Sequence, residues 1–341
     1  MSLTVVFTQR EKTRLRHDKK LTRHNATTKH VHGAMPRQEY GMNIMRKITI
    51  RIALLLALTV ASPAAAQNGE MEQNMFEAMR ESDKAAVVAV HAGAGDHAAQ
   101  LRIGRFNEEL RQAFPECEFR EARTSRTQAD EANMSTPDEL FVQLKKEGFT
   151  HVLVQPSCIA NSTDMQYLRS AVETAKDMFK QIRLGEPLLC SPADYEKVID
   201  ITAKACGAQK AANVLVCNGS TYEEDAQFAM LDYMLRDKGL ANWHVGSTSG
   251  YPSIDSLIRQ LKAGKTKKVH LIPLAFDESE QDIAATTSLW ATALQKAGYK
   301  VTADTNCVGD INGIISLFKE HCKHAEEFRS LTAKERQFIK K

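Results

Sequence analysis

The sequence predicts an α/β protein made of two similar parallel-sheet halves that face each other across a cleft. Two observations carry this expectation. From residue 85 onward short apolar runs alternate with amphipathic ones, the pattern of a parallel sheet covered by helices. The alternation also occurs twice in the same order. AAVVAVHAGAGDHA matches AANVLVCNGSTYEE as strand, polar residue, Gly-containing loop and helix, and DELFVQLKKEGFTHVLVQP matches SIDSLIRQLKAGKTKKVHLIP as helix, Gly stop, strand and Pro.

The buried strands are the short apolar runs Ala86–Val90, Val152–Val154, Val214–Cys217 and Val269–Ile272. The helices are the amphipathic runs Ala98–Ala113, Glu139–Glu147, Met165–Gln181, Ile254–Lys262 and Ser288–Ala297. The expected organisation is an extension over 1–44, either disordered or ahead of the true start, then a signal peptide over 45–66 and a linker over 67–84. The first half follows over 85–209, the second over 210–323, and a basic tail over 324–341. In the register read from the repeat, His91 is the counterpart of Asn218, each closing the first strand of its half.

Length and composition suit two globular units: 341 residues, 43% hydrophobic and 26% charged. The formal charge is only +3, with much of the positive charge in the first fifty residues, so a nucleic-acid partner is not expected. Met45–Gln67 has a basic start at Arg46, Lys47 and Arg51, then an apolar run, then Ala64-Ala65-Ala66. These are the parts of a secretory signal with an A-x-A cleavage site. The run Ile52–Ala61 is too short for the roughly 20 residues of a spanning helix. The mature chain is therefore expected to start at Gln67 and to be exported, in all expectation to the periplasm, with no stable membrane span.

Seven cysteines in an exported chain leave at least one unpaired. No CxxC or zinc-type spacing occurs. Cys158, Cys190 and Cys217 end apolar strands and read as core thiols, and Cys307 with Cys322 is the pair to test first for a bridge.

The loops Ala92-Gly93-Ala94-Gly95 and Asn218-Gly219-Ser220 follow strands and open helices, where free backbone N–H groups can take an anion. Neither completes a GxGxxG or a P-loop, and a tight turn explains the glycines equally well. No GxSxG elbow and no HExxH is present. Among the histidines, His151 and His270 fall at strand starts or interiors, whereas His91 and His97 fall at a strand's carboxyl edge and the helix beyond it. His91 and His97 are the candidate metal ligands. The run Asp277-Glu278-Ser279-Glu280 reads as a solvated loop or a site for a hard cation.

The two halves, their loops and the phrases HVLVQPS, LGEPLL, GYPSIDSLI and VHLIPL together resemble the anaerobic sirohydrochlorin cobaltochelatase family. The resemblance spans most of residues 85–323. It implies a class II chelatase fold in which two α/β halves clasp a tetrapyrrole that receives Co²⁺ or Fe²⁺, in cobalamin or sirohaem biosynthesis. It also implies three site residues: a His in a His-Gly pair after the second half's first strand, a Glu before a Tyr-Pro pair, and a His in the loop after VHLIPL. Imidazole and carboxylate suit a divalent first-row metal, and a neutral His also accepts a pyrrole proton.

This sequence has Asn218, Ser249 and, with a shortened loop, Gln281 at those positions. None of the three titrates near neutral pH. The expected ligand cleft is His91, Cys158, Asn218, Ser249 and Gln281. Three readings stay open. The first is an exported, degenerate relative that binds a tetrapyrrole, haem included, or a divalent metal. The second is a working chelatase with His91, His97 and Cys158 as substitute ligands, and the third an exported binding protein for another small ligand. A homo-oligomer is compatible with all three.

Overall fold

The computed structural model describes residues 70–330 apart from Ala78, Ala94, Gly95 and Gln209. The expected extension and signal segment, together with the last eleven residues of the sequence, lie outside this range.

In chain order the elements begin with β1 (Glu70–Glu72), β2 (Ala85–His91), α1 (His97–Ala113), β3 (Glu118–Arg123), α2 (Arg126–Glu131), α3 (Pro137–Lys146), β4 (His151–Pro156), α4 (Thr163–Ala175) and β5 (Gln181–Leu184). The rest are α5 (Pro192–Ala205), β6 (Ala212–Cys217), α6 (Tyr222–Asp237), β7 (Trp243–Ser247), α7 (Ile254–Ala263), β8 (Lys268–Pro273), α8 (Glu280–Lys296), β9 (Lys300–Ala303), α9 (Ile314–Glu327) and β10 (Phe328–Ser330). Helix starts follow local chemistry. Asp96, Ser162, Thr221, Ser253 and Ser279 each accept a backbone N–H of the first turn, which satisfies a donor the helix itself cannot. Thr136 with Glu139 and Ser191 with Asp194 form reciprocal capping boxes followed by Pro.

Two four-stranded parallel sheets have the orders β3-β2-β4-β5 and β7-β6-β8-β9, which coincide strand for strand. The twofold repeat of the sequence is thus a repeat of structure. Its register is the one in which AAVVAVH and AANVLVC match letter by letter, and the expected equivalence of His91 with Asn218 is off by a residue. Val90 pairs with Pro156 of β4, and Val216 pairs with Pro273 of β8, so Val90 corresponds to Val216. His91 therefore corresponds to Cys217, and Ala92 to Asn218.

Alternation decides what these residues touch. Ala86, Val88 and Val90 point into a core under α3 and α4, and Val214 and Val216 into a separate one under α7 and α8. Val87, Ala89, Leu215 and Cys217 point the other way, into a core shared by both halves. At its centre Phe106, Phe276 and Phe318 meet edge to face, with centroids 5.1–5.7 Å apart.

The last helix of each half crosses to the other half. α9 packs on α1, β4 and β5, and α5 packs on α6. The segment expected as a basic tail begins inside α9 and continues as β10, which pairs antiparallel with β1 inside the expected linker. Arg183 of β5 fixes this corner. Its guanidinium donates to the carbonyls of Gln73, just after β1, of Ala325 and Glu326 at the end of α9, and of Phe328 in β10. All seven cysteines are free, Cys307 and Cys322 among them; Cys190 is exposed and only Cys217 of the three strand-end thiols is buried.

Candidate functional site at the carboxyl edges of the sheets

Open parallel sheets present chemistry beyond the carboxyl ends of their strands. Here those ends lead into the segments that begin at Ala92, Ser157, Asn218, Thr248 and Leu274.

Asn218 is exposed at the end of β6, and its amide oxygen accepts from Thr286 Oγ1 of α8 at 2.9 Å. Ser249 is exposed in the next loop, where Gly250 lies against the Asp225 carboxyl that also takes the Tyr251 N–H at 2.8 Å. Gln281 is exposed in the first turn of α8, the helix that carries Thr286. All three expected family positions thus sit on the surface of the second half, and none offers imidazole or carboxylate.

His91 does not open onto a cleft. It is 0% exposed, its ring stacks edge to face on Phe106 at 5.1 Å, and both ring nitrogens are engaged. Nδ1 meets Ser157 Oγ at 2.9 Å and Nε2 meets Asn107 Oδ1 at 3.0 Å. Burial, with Arg123 nearby, pushes its pKa down to about 3. A ring so committed has no lone pair to give a metal. His97 is exposed at the first position of α1. Cys158 is partly exposed, and burial of its sulfur followed by the charge of Asp277 holds the thiol well above its ordinary pKa, opposite to what a thiolate ligand needs. Among the described residues no three His, Cys, Asp or Glu side chains converge in a way that would hold a metal ion.

The acidic run after β8 is no solvated loop. Asp277 is buried, and its Oδ2 accepts from Ser157 Oγ and from the Ala92 N–H, both at 2.7 Å. Gly93 is required beside it, since a Cβ there would lie 2.7 Å from the Asp277 carbonyl oxygen. Arg102 of α1 donates to the carbonyls of Phe276 and Glu278, and Asp96 accepts the Glu280 N–H. Burial first, then Asp277, raises Glu278 to about 7. This loop is therefore where the second half is fastened to the first. A second fastening joins Asn161 and Thr163 to Thr221, Ser220 and Gln227.

Sequence reasoning missed Ser157, Asn107 and the buried state of Asp277. The one available signal was position, Ser157 following Pro156 at the end of a strand whose centre, Val152–Val154, is apolar. A groove of 1540 Å³ runs along the edge strand β5 past Arg183, Glu186, Cys190 and His321, and none of the expected site residues lines it.

Residues 84–327 match the family described as Cobalt chelatase (CbiK). The chain belongs to that family. It is 26% identical over 204 residues to the sirohydrochlorin cobaltochelatase of Salmonella typhimurium, covering 58% of this chain and 77% of that one. It is 24% identical over 253 residues to the sirohydrochlorin cobaltochelatase CbiKC of Nitratidesulfovibrio vulgaris, covering 70% and 89%. In three dimensions it is similar to the sirohydrochlorin chelatase SirB of Bacillus subtilis in complex with cobalt, with a TM-score of 0.52 and 14% identity over 72% of this chain and 96% of that one. SirB with Fe³⁺ gives a TM-score of 0.51. At this identity the SirB likeness speaks to the fold, which is the chelatase fold of two similar halves.

Proposed function

We propose that this chain is an exported member of the cobaltochelatase family that binds a tetrapyrrole between its halves and has lost the family's metal-insertion site. The observation that carries the reading is Asn218. It stands at the strand end where the resemblance calls for a proton-accepting, metal-binding His, and its amide is hydrogen-bonded to Thr286. An amide neither titrates near neutral pH nor binds a first-row cation strongly. Ser249 and Gln281 extend the same replacement to the other two positions. Shape and apolar contacts bind a planar macrocycle independently of the residues that metallate it.

The test is an absorption titration of the purified protein with sirohydrochlorin, followed by addition of Co²⁺. A saturable spectral change without accelerated cobalt insertion is the expected result. No spectral change at all would return the chain to an unrelated small ligand.

One observation favours a second reading, an active enzyme with a relocated base. Glu278 lies in the loop after β8, and a carboxyl raised to about 7 is poised for proton transfer. Cobalt insertion that is abolished by Glu278→Gln would establish it.

A further inference from the structure

A row of hydrogen bonds crosses from the second half into the first: Asp277 to Ser157 at 2.7 Å, Ser157 to His91 at 2.9 Å, His91 to Asn107 at 3.0 Å and Asn107 to Glu121 at 2.8 Å. Its proton count is fixed from the far end. Asn107 Nδ2 donates to Glu121 Oε2 at 2.8 Å, and the other Glu121 oxygen is paired with Arg123 at 2.6 Å, so the amide turns its NH₂ to Glu121. Asn107 then turns its carbonyl oxygen to His91, and His91 Nε2 must carry a hydrogen.

Two arrangements remain. If His91 is neutral, Nδ1 is a bare lone pair and takes the Ser157 hydroxyl hydrogen. Ser157 and Asp277 then face each other at 2.7 Å with no hydrogen between them unless Asp277 is protonated. If Asp277 is ionised, Ser157 donates to it, and His91 needs a hydrogen on both nitrogens. Either way the row holds one proton beyond those of a neutral imidazole and a carboxylate. Without it two acceptors meet, at Asp277 and Ser157, at Ser157 and His91, or at His91 and Asn107.

We propose that Asp277, Ser157 and His91 form a proton-binding site built across the two halves, holding one shared proton whose loss weakens the join between them. Burial raises the Asp277 carboxyl and lowers the His91 imidazole, so the proton rests at the Asp277 end. The charged and titratable groups around the row come from every neighbouring element. They are Arg102 and Asp96 on and before α1, Glu121 and Arg123 on β3, Cys158 and Asp164 around the start of α4, Glu224 on α6, Glu278 in the same loop, and Asp310 opposite Arg102 at 3.6 Å. The Ala92 and Gly93 N–H groups help a carboxylate at Asp277, and the burial of the site opposes it.

The site lies at the fastening between the halves, so it links the strength of their join to proton concentration.

The experiment is NMR of the full chain across about pH 4 to 10, following the ¹⁵N shifts of the His91 ring and the ¹³C shift of the Asp277 carboxyl. At the low end His91 is expected with hydrogen on Nε2, either as that tautomer or as imidazolium. The two residues should then respond with one common midpoint although they belong to different halves. A ring in the Nδ1–H form at low pH, separate midpoints, or a ring and carboxyl that never titrate together would each overturn the proposal. In Asp277→Asn the His91 transition should vanish; its persistence at the same midpoint would overturn the proposal as well.

Discussion

Cys217 holds in the second half the position that His91 holds in the first, one residue before Asn218. Both side chains face the core that the two halves share, and Asn218, on the opposite phase of the strand, is exposed. A slip of one residue in a strand exchanges its faces. The difference is chemical: a residue that appeared to be the equivalent of a site His is a core residue.

The first consequence concerns His91 itself. Replacing it by Ala removes a buried ring and strands Ser157 and Asn107, which are held at 2.9 and 3.0 Å. The loss of packing and of two hydrogen-bond partners should cost about 3 kcal/mol. Urea denaturation measures it, and an unchanged midpoint would show that the ring is not held as described.

Metal insertion is the second. The natural chain should metallate sirohydrochlorin with Co²⁺ at close to the uncatalysed rate, because loss of a general base alone costs about 10²- to 10⁴-fold. Asn218→His combined with Ser249→Glu and Gln281→His should raise the rate by a part of that factor. Turnover of the natural protein at the level of an active relative would contradict the reading of Asn218.

Glu278 gives a pH dependence with a definite sign. Its folded-state pKa is raised from 4.5 to about 7, so its contribution to stability is fully present below 4.5 and is lost as pH rises through about 7. The unfolding midpoint of the wild type should therefore carry a falling component between those values. Glu278→Gln should remove that component, and identical pH profiles for the two proteins would refute it.

Arg183 ties the end of α9 and the strand pair β1–β10 to the first sheet through four backbone carbonyls. Arg183→Ala should cost about 2–3 kcal/mol, since hydrogen bonds from a charged donor are the stronger ones. Limited proteolysis should then cut within 70–77 and 325–330 while the two sheets stay protected. Cleavage no faster than in the wild type would mean that the corner is held by other contacts.

Export is checked most directly by mass. Ala64 and Ala66 supply the small residues that signal cleavage needs, so exported protein should begin at Gln67. An intact mass that retains Met45 would overturn both the cleavage and the periplasmic reading.

The sequence by itself determined the α/β class, the twofold repeat, the buried strands near Ala86, Val152, Val214 and Val269, and the helices at 98–113, 139–147 and 254–262, because these follow from local periodicity; the helix expected over Met165–Gln181 ends at Ala175, with Gln181 opening β5, and the one expected over Ser288–Ala297 begins at Glu280. The resemblance it carries also sets Asn218, Ser249 and Gln281 where the family's titratable residues are expected, which is the ground of the proposed loss of the metal-insertion site. Short strands such as β3, with Glu118, Arg120 and Arg123, carry no apolar run and were not legible. Tertiary structure alone decided the burial of His91, the crossing of α5 and α9 between halves, and the burial of Asp277. These depend on which distant segment covers a residue. An acidic run reads as solvated until a loop 185 positions away supplies its hydrogen bonds, as Ala92 does for Asp277.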